Sequence, residues 1–151
     1  MSLAHSKTPV ILVVDDDEGH AILVRENLQA AGLHNPIIHF RDGQEILDFF
    51  FPRGPGPHAE KGGTYLILLD IRMPKVDGVE VLRRLKEDPE LQKLPIIVFT
   101  TTDDVREVER CHLLGCNVYL QKPVDYEKFA EAIRRLGLFM MLLLVPPVNG
   151  H

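Results

Sequence analysis

Five short apolar runs recur along the chain, at 10–14, 36–40, 65–69, 95–100 and 117–120. Between them lie stretches in which apolar residues return every three or four positions. This alternation predicts strands of a parallel sheet flanked by helices. Three of the runs are nearly unbroken Val, Ile and Leu, the pattern of strands covered on both faces.

The intervening stretches carry helix signals. Over 19–31, Ile22, Leu23, Leu28 and Ala31 can share one face. Asp42 followed by Glu45 forms a capping-box pattern that opens a helix reaching Phe50. Val81, Leu82 and Leu85 mark a helix over 78–86, broken by Asp88-Pro89. A helix over 103–114 ends at Gly115, a C-terminal cap. Asp125 is placed to cap a last helix, in which Phe129, Ile133 and Leu136 form an apolar stripe. The topology is therefore (βα)5, an α/β fold. One segment breaks the rhythm: 52–64 holds three prolines and four glycines and reads as an exposed irregular loop. The chain shows no internal repeat and no interdomain linker.

Composition narrows the class. With 151 residues, 45% hydrophobic and 26% charged, the chain is sized for one globular domain with a real core. A net charge of −5 argues against a nucleic-acid surface, which needs clustered Lys and Arg. Cys111 and Cys116 are too few for a disulfide scaffold and read as buried, reduced thiols of a cytoplasmic protein. The N-terminus lacks the apolar core of a signal peptide. The apolar run 136–148 is interrupted by Gly137, Pro146 and Pro147 and is too short to span a bilayer.

In open α/β sheets ligands gather at the carboxyl ends of the strands. The first run stops at Asp15, Asp16 and Asp17, the third at Asp70 and the fourth at Thr100, and the fifth is followed by Lys122-Pro123. Clustered carboxylates repel one another unless a hard cation sits among them, and oxygen ligands suit Mg²⁺. A carboxylate can then attack phosphorus to give an acyl phosphate. The charge on the phosphoryl oxygens needs a metal on one side and an ammonium on another, which Lys122 supplies. Thr100 offers a hydroxyl donor.

Val13-Val14-Asp15-Asp16-Asp17, then Leu68-Leu69-Asp70-Ile71-Arg72-Met73-Pro74-Lys75-Val76-Asp77-Gly78, then Val98-Phe99-Thr100-Thr101, then Tyr119-Leu120-Gln121-Lys122-Pro123, resemble the receiver domains of response regulators. The resemblance covers roughly 9–136. It implies a doubly wound, flavodoxin-like five-stranded sheet in the order 2-1-3-4-5, with 1–8 as a flexible N-terminus and 137–151 as an apolar C-terminal extension. It implies Asp70 as phosphoacceptor and a Mg²⁺ site of Asp15, Asp16, Asp70 and the Arg72 carbonyl, with Asp15 acting largely through water. Thr100 and Lys122 would contact the phosphoryl group, and Tyr119 would be the aromatic whose rotamer follows Thr100. The Lys122–Pro123 bond is expected to be cis.

The implied protein is a phosphoacceptor for signalling, catalysing only its own Mg²⁺-dependent phosphorylation and dephosphorylation. Its expected partner is a histidine kinase or phosphotransfer protein, without nucleic acid or membrane. With almost nothing after the receiver, output is expected through contact. One such output is a homodimer formed by the fourth helix, fifth strand and fifth helix with the C-terminal tail. The loop and tail resemble receivers serving phytochrome-type kinases; the tail is read as a dimer or kinase contact and the loop as solvated. Thr101 and Arg72 are expected to tune the phosphoryl lifetime. An Asp-nucleophile phosphatase would want a second Asp where Arg72 stands. A binding module without the chemistry would lack one of the acidic pair, the acceptor or the lysine. Asp17 reads as a helix cap before a metal ligand. The seven histidines read as surface or filling positions, with modulation of the site by His20 kept as an alternative.

Overall fold

The computed structural model describes residues 8–149, apart from Pro74 and Leu144. Strands β1 (Val10–Val14), β2 (Ile37–Phe40), β3 (Tyr65–Leu69), β4 (Ile96–Thr100) and β5 (Val118–Gln121) alternate with helices α1 (Glu18–Ala30), α2 (Gly43–Phe50), α3 (Gly78–Glu87), α4 (Val105–Leu114) and α5 (Tyr126–Met140). All strand pairs are parallel and run in the order β2-β1-β3-β4-β5, as expected.

Period-two alternation divides the sheet between two cores. Leu12, Val14, Ile67, Leu69, Ile96 and Val98 point to one side, against Phe49 and Phe50 of α2, Val81, Leu82 and Leu85 of α3 and Cys111 of α4. Ile11, Val13, Leu66, Leu68, Ile97 and Phe99 point to the other, against Val24 and Leu28 of α1 and Phe129, Ile133 and Leu136 of α5. Every residue of β3 and β4 is buried, which explains their uninterrupted apolar sequences.

Each α-helix begins on an aspartate whose carboxylate accepts a hydrogen bond from a backbone N–H of the first turn: Asp17, Asp42, Asp77, Asp104 and Asp125. Such a cap stabilises by about 1 kcal/mol. The capping box at α2 is shifted by one residue, because Glu45 accepts from the Arg41 N–H (2.8 Å) instead of from the cap's own amide. Gly115 closes α4 in the left-handed region (φ 101°), with the Cys116 N–H reaching the Cys111 carbonyl at 3.0 Å.

Loop 52–64 is irregular and largely exposed, as expected, and the tail goes further than expected. Loop 52–64 is anchored at its base: Tyr65 Oη accepts from the Glu60 N–H at 2.7 Å, and its ring stacks edge-on against Phe49 and Phe50. Helix α5 runs past the expected boundary at 136, because Gly137 fits closely against Leu28, Ala31 and Leu33. The tail then folds back over the edge of the sheet where β3 begins. Val148 pairs antiparallel with Gly63 and is fully buried, with its N–H donating to the Gly63 carbonyl (2.9 Å) and its carbonyl accepting from Gly62 (2.7 Å). Leu138, Phe139, Met141 and Leu142 stay exposed, leaving their apolar side chains free for contact. Among the described residues no helix is long and apolar enough to cross a membrane.

Candidate functional site

The site lies at the carboxyl edge of the sheet, where β1, β3, β4 and β5 end side by side. Register puts Val14 beside Leu69 and Thr100 beside Gln121, so Asp15, Asp70, Thr100 and Lys122 follow from strand pairing alone. The Asp70 N–H donates to the Val14 carbonyl at 2.9 Å, tying the acceptor to the end of β1. Behind Asp70 the chain must turn sharply into α3. A Cβ on Gly78 would stand 2.4 Å from Ile71 Cα and 2.5 Å from the Asp70 carbonyl, so the Asp77-Gly78 pair answers a steric demand.

Both Asp70 oxygens are engaged. Oδ1 accepts from Thr100 Oγ1 (2.8 Å) and from the Arg72 N–H (3.0 Å), and Oδ2 accepts from Lys122 Nζ (3.0 Å). Lys122 also donates to Asp15 Oδ2 at 2.6 Å. Asp15, Asp70, Thr100 and Lys122 are all buried, whereas Asp16 is exposed. Burial pushes the Asp15 carboxyl above its ordinary range, with the Lys122 charge offsetting only part of the shift. Asp15, Asp16 and Asp70 each present an oxygen within 4.8 Å of the others. Three clustered carboxylates, two of them buried with a single ammonium among them, fit a hard divalent cation. Arg72 lines a cleft of about 440 Å³ with Asp16, Asp77 and Glu107 at the mouth of the site.

One expectation needs adjustment. The Lys122–Pro123 bond is trans, since no cis peptide occurs among the described residues; trans is the intrinsically favoured form even before proline. Thr100 donates to Asp70. Tyr119 is half-buried, and its hydroxyl donates to the Thr102 carbonyl at 2.9 Å. Asp17 caps α1 through the His20 N–H, which holds its carboxyl below the usual range.

Residues 11–134 match the response regulator receiver domain family. The chain belongs to that family. Receivers are signalling proteins of two-component systems and bind a divalent metal at their acidic pocket. The response regulator Rcp1 of Synechocystis is 30% identical over 147 residues, covering 97% of this chain and 99% of Rcp1. Its Mn²⁺-bound crystal structure superposes with a TM-score of 0.80. A receiver domain from Rhodospirillum rubrum superposes at 0.86 with 43% identity, covering 93% of this chain and 99% of that one. The phosphorylated cyanobacterial phytochrome response regulator RcpA superposes at 0.81 with 25% identity, covering 93% and 99%.

The receiver site contains two histidines, of which the sequence raises only His20, as an alternative beside the acidic run. His20 Nδ1 lies 3.1 Å from Lys122 Nζ. His39 Nε2 lies 2.7 Å from the Asp15 carbonyl oxygen, reaching across from β2. The strand order carries a signal for His39, since register sets it beside Val13, two residues before Asp15. For His20 the signal is its place just after the acidic run 15–17.

Proposed function

We propose that this receiver takes a phosphoryl group onto Asp70 from a histidine kinase or phosphotransfer protein and signals by protein contact. The reading rests on one observation above all: three strand ends converge so that both Asp70 oxygens are held by Thr100, Lys122 and the Arg72 amide. Asp15, Asp16, Asp70 and the Arg72 carbonyl are the groups to hold Mg²⁺. When bound, the cation screens the clustered carboxylates and neutralises charge on the phosphoryl oxygens.

An Asp70 oxygen attacks phosphorus, and the P–N bond to the donor imidazole breaks. The Lys122 ammonium, already between Asp15 and Asp70, neutralises one phosphoryl oxygen. The Thr100 hydroxyl passes from Asp70 Oδ1 to a second. This exchange of hydrogen-bond acceptor biases the packing of Tyr119 behind it, a population shift between two arrangements. Output then passes through the face of α4, β5 and α5. There Phe99, Val118, Leu120, Leu136 and Phe139 line an apolar cleft of about 420 Å³, continuous with the exposed part of the tail. A homodimer through this face is the favoured form of that contact. Two buried free thiols fit a reducing cytoplasm.

Intact-mass spectrometry after incubation with acetyl phosphate and Mg²⁺ tests the reading. The expected result is a hydroxylamine-labile gain of one phosphoryl group, absent in Asp70→Asn and absent when chelator removes the metal. A gain that persists in Asp70→Asn would move the acceptor elsewhere.

A further inference from the structure

The Lys122 ammonium is saturated. It carries three protons, and three acceptors surround it: Asp15 Oδ2 at 2.6 Å, Asp70 Oδ2 at 3.0 Å and His20 Nδ1 at 3.1 Å. The third is the unusual one. A ring nitrogen accepts from an ammonium only when it carries no proton, and in this contact that places the ring proton on Nε2. The Asp17 carboxylate, 3.7 Å from the same Nδ1, is beyond hydrogen-bonding distance and leaves that nitrogen to Lys122.

The ring itself is held in place. Its centroid lies 5.1 Å from that of Phe129, tilted by 31°, and Phe129 packs in turn on Phe99 at 5.3 Å. Lys122 Nζ stands 5.9 Å from the Phe99 ring centroid. The first turn of α1, fixed by the Asp17 cap on the His20 N–H, sets the height of the imidazole. Thus a helix start, a capping aspartate and two aromatic rings aim one nitrogen at the ammonium.

We infer that His20 is a positioning residue for phosphoryl transfer, acting through Lys122. The inference rests on the proposed role of Lys122 at Asp70. A lysine side chain has four rotatable carbons, and two carboxylates alone leave its head free to settle into the Asp15–Asp70 line. The neutral imidazole draws the third proton sideways and fixes the ammonium's orientation without adding charge. When a phosphoryl oxygen replaces Asp70 Oδ2 as acceptor, the His20 and Asp15 bonds stay, so the ammonium keeps two of its three anchors. Pre-positioning of this kind lowers the reorganisation needed in the transition state.

The test compares wild type, His20→Leu and His20→Asn in rates of phosphoryl uptake from acetyl phosphate at saturating Mg²⁺, followed by intact mass. His20→Leu keeps an apolar body against Phe129 and removes the acceptor. His20→Asn restores an oxygen near the place of Nδ1. The expected result is uptake slowed about tenfold in His20→Leu, largely recovered in His20→Asn, with Mg²⁺ affinity and urea midpoint unchanged in both. Equal rates in wild type and His20→Leu overturn the inference, as does a His20→Asn variant as slow as the leucine variant. Nitrogen NMR of the imidazole provides an independent readout, expected to show His20 protonated on Nε2 alone with Nδ1 accepting a hydrogen bond that disappears in Lys122→Met. Should wild type take up no phosphoryl group, the proposed function falls and the NMR result decides the His20–Lys122 contact by itself.

Discussion

Tyr119 and Cys111 sit in the core layer behind the sheet, and burial pushes the phenol and the thiol each up to about 12. Both groups are neutral when protonated, and the fold favours that form. In the unfolded chain they ionise from about 9 and 10 upward. Their stabilising contribution is therefore complete at neutral pH and is lost as pH rises from that range toward 12. Urea midpoints taken at neutral pH and near pH 11 should show this loss, and Tyr119→Phe should make it shallower. An alkaline loss unaltered by both Tyr119→Phe and Cys111→Ala would contradict the assignment. At this scale the sequence is most legible where a side chain follows a strand end. Asp15, Asp16, Asp70, Thr100 and Lys122 are readable because strand periodicity locates the edge of the sheet on which ligands gather. His20 is readable only as an alternative, from its place beside the acidic run, because the lysine that gives it meaning is 102 positions away.

The elements meet most tightly where glycines begin helices. Gly78 opens α3 against Asp70 and Ile71, and Gly43 opens α2 with its Cα facing the Val76 carbonyl, 2.0 Å from where a Cβ would stand. In both cases the clash is with backbone, which cannot swing aside as a side chain can. Gly78→Ala is expected to destabilise the fold by about 2–3 kcal/mol, read as a lowered urea midpoint at constant slope. A change under a few tenths would show that the turn behind the acceptor is slack. Element identity was legible throughout, because aspartate caps and apolar periodicity agree in each helix. Element ends were less so. Asp103-Asp104 offers two adjacent caps, of which the structure uses the second. Gly137 resembles a terminator until Leu28, Ala31 and Leu33 of the neighbouring segment are seen to need a residue without bulk there.

Across the whole molecule, the functional edge and the tail lie at opposite ends of the strands. Val148 is fully buried against the residues entering β3, while Asp70 follows its last residue. Val148→Ala should therefore lower stability by about 1–3 kcal/mol in thermal or urea unfolding while leaving the rate of phosphoryl uptake unchanged. A variant that altered uptake as strongly as stability would show the two edges to be coupled. The tail's path was the least legible feature, since an apolar run interrupted by prolines fits burial and exposure equally well. Only the loop's position in space decides which of its residues find cover. That pairing also has a meaning for segment exchange. Trimming 52–64 removes the backbone on which Val148 lies, and losing the tail strips the Gly62 amide and the Gly63 carbonyl of their partners. The two segments thus depend on each other, and a chimera with a plainer relative is expected to keep its stability only when both are exchanged at once.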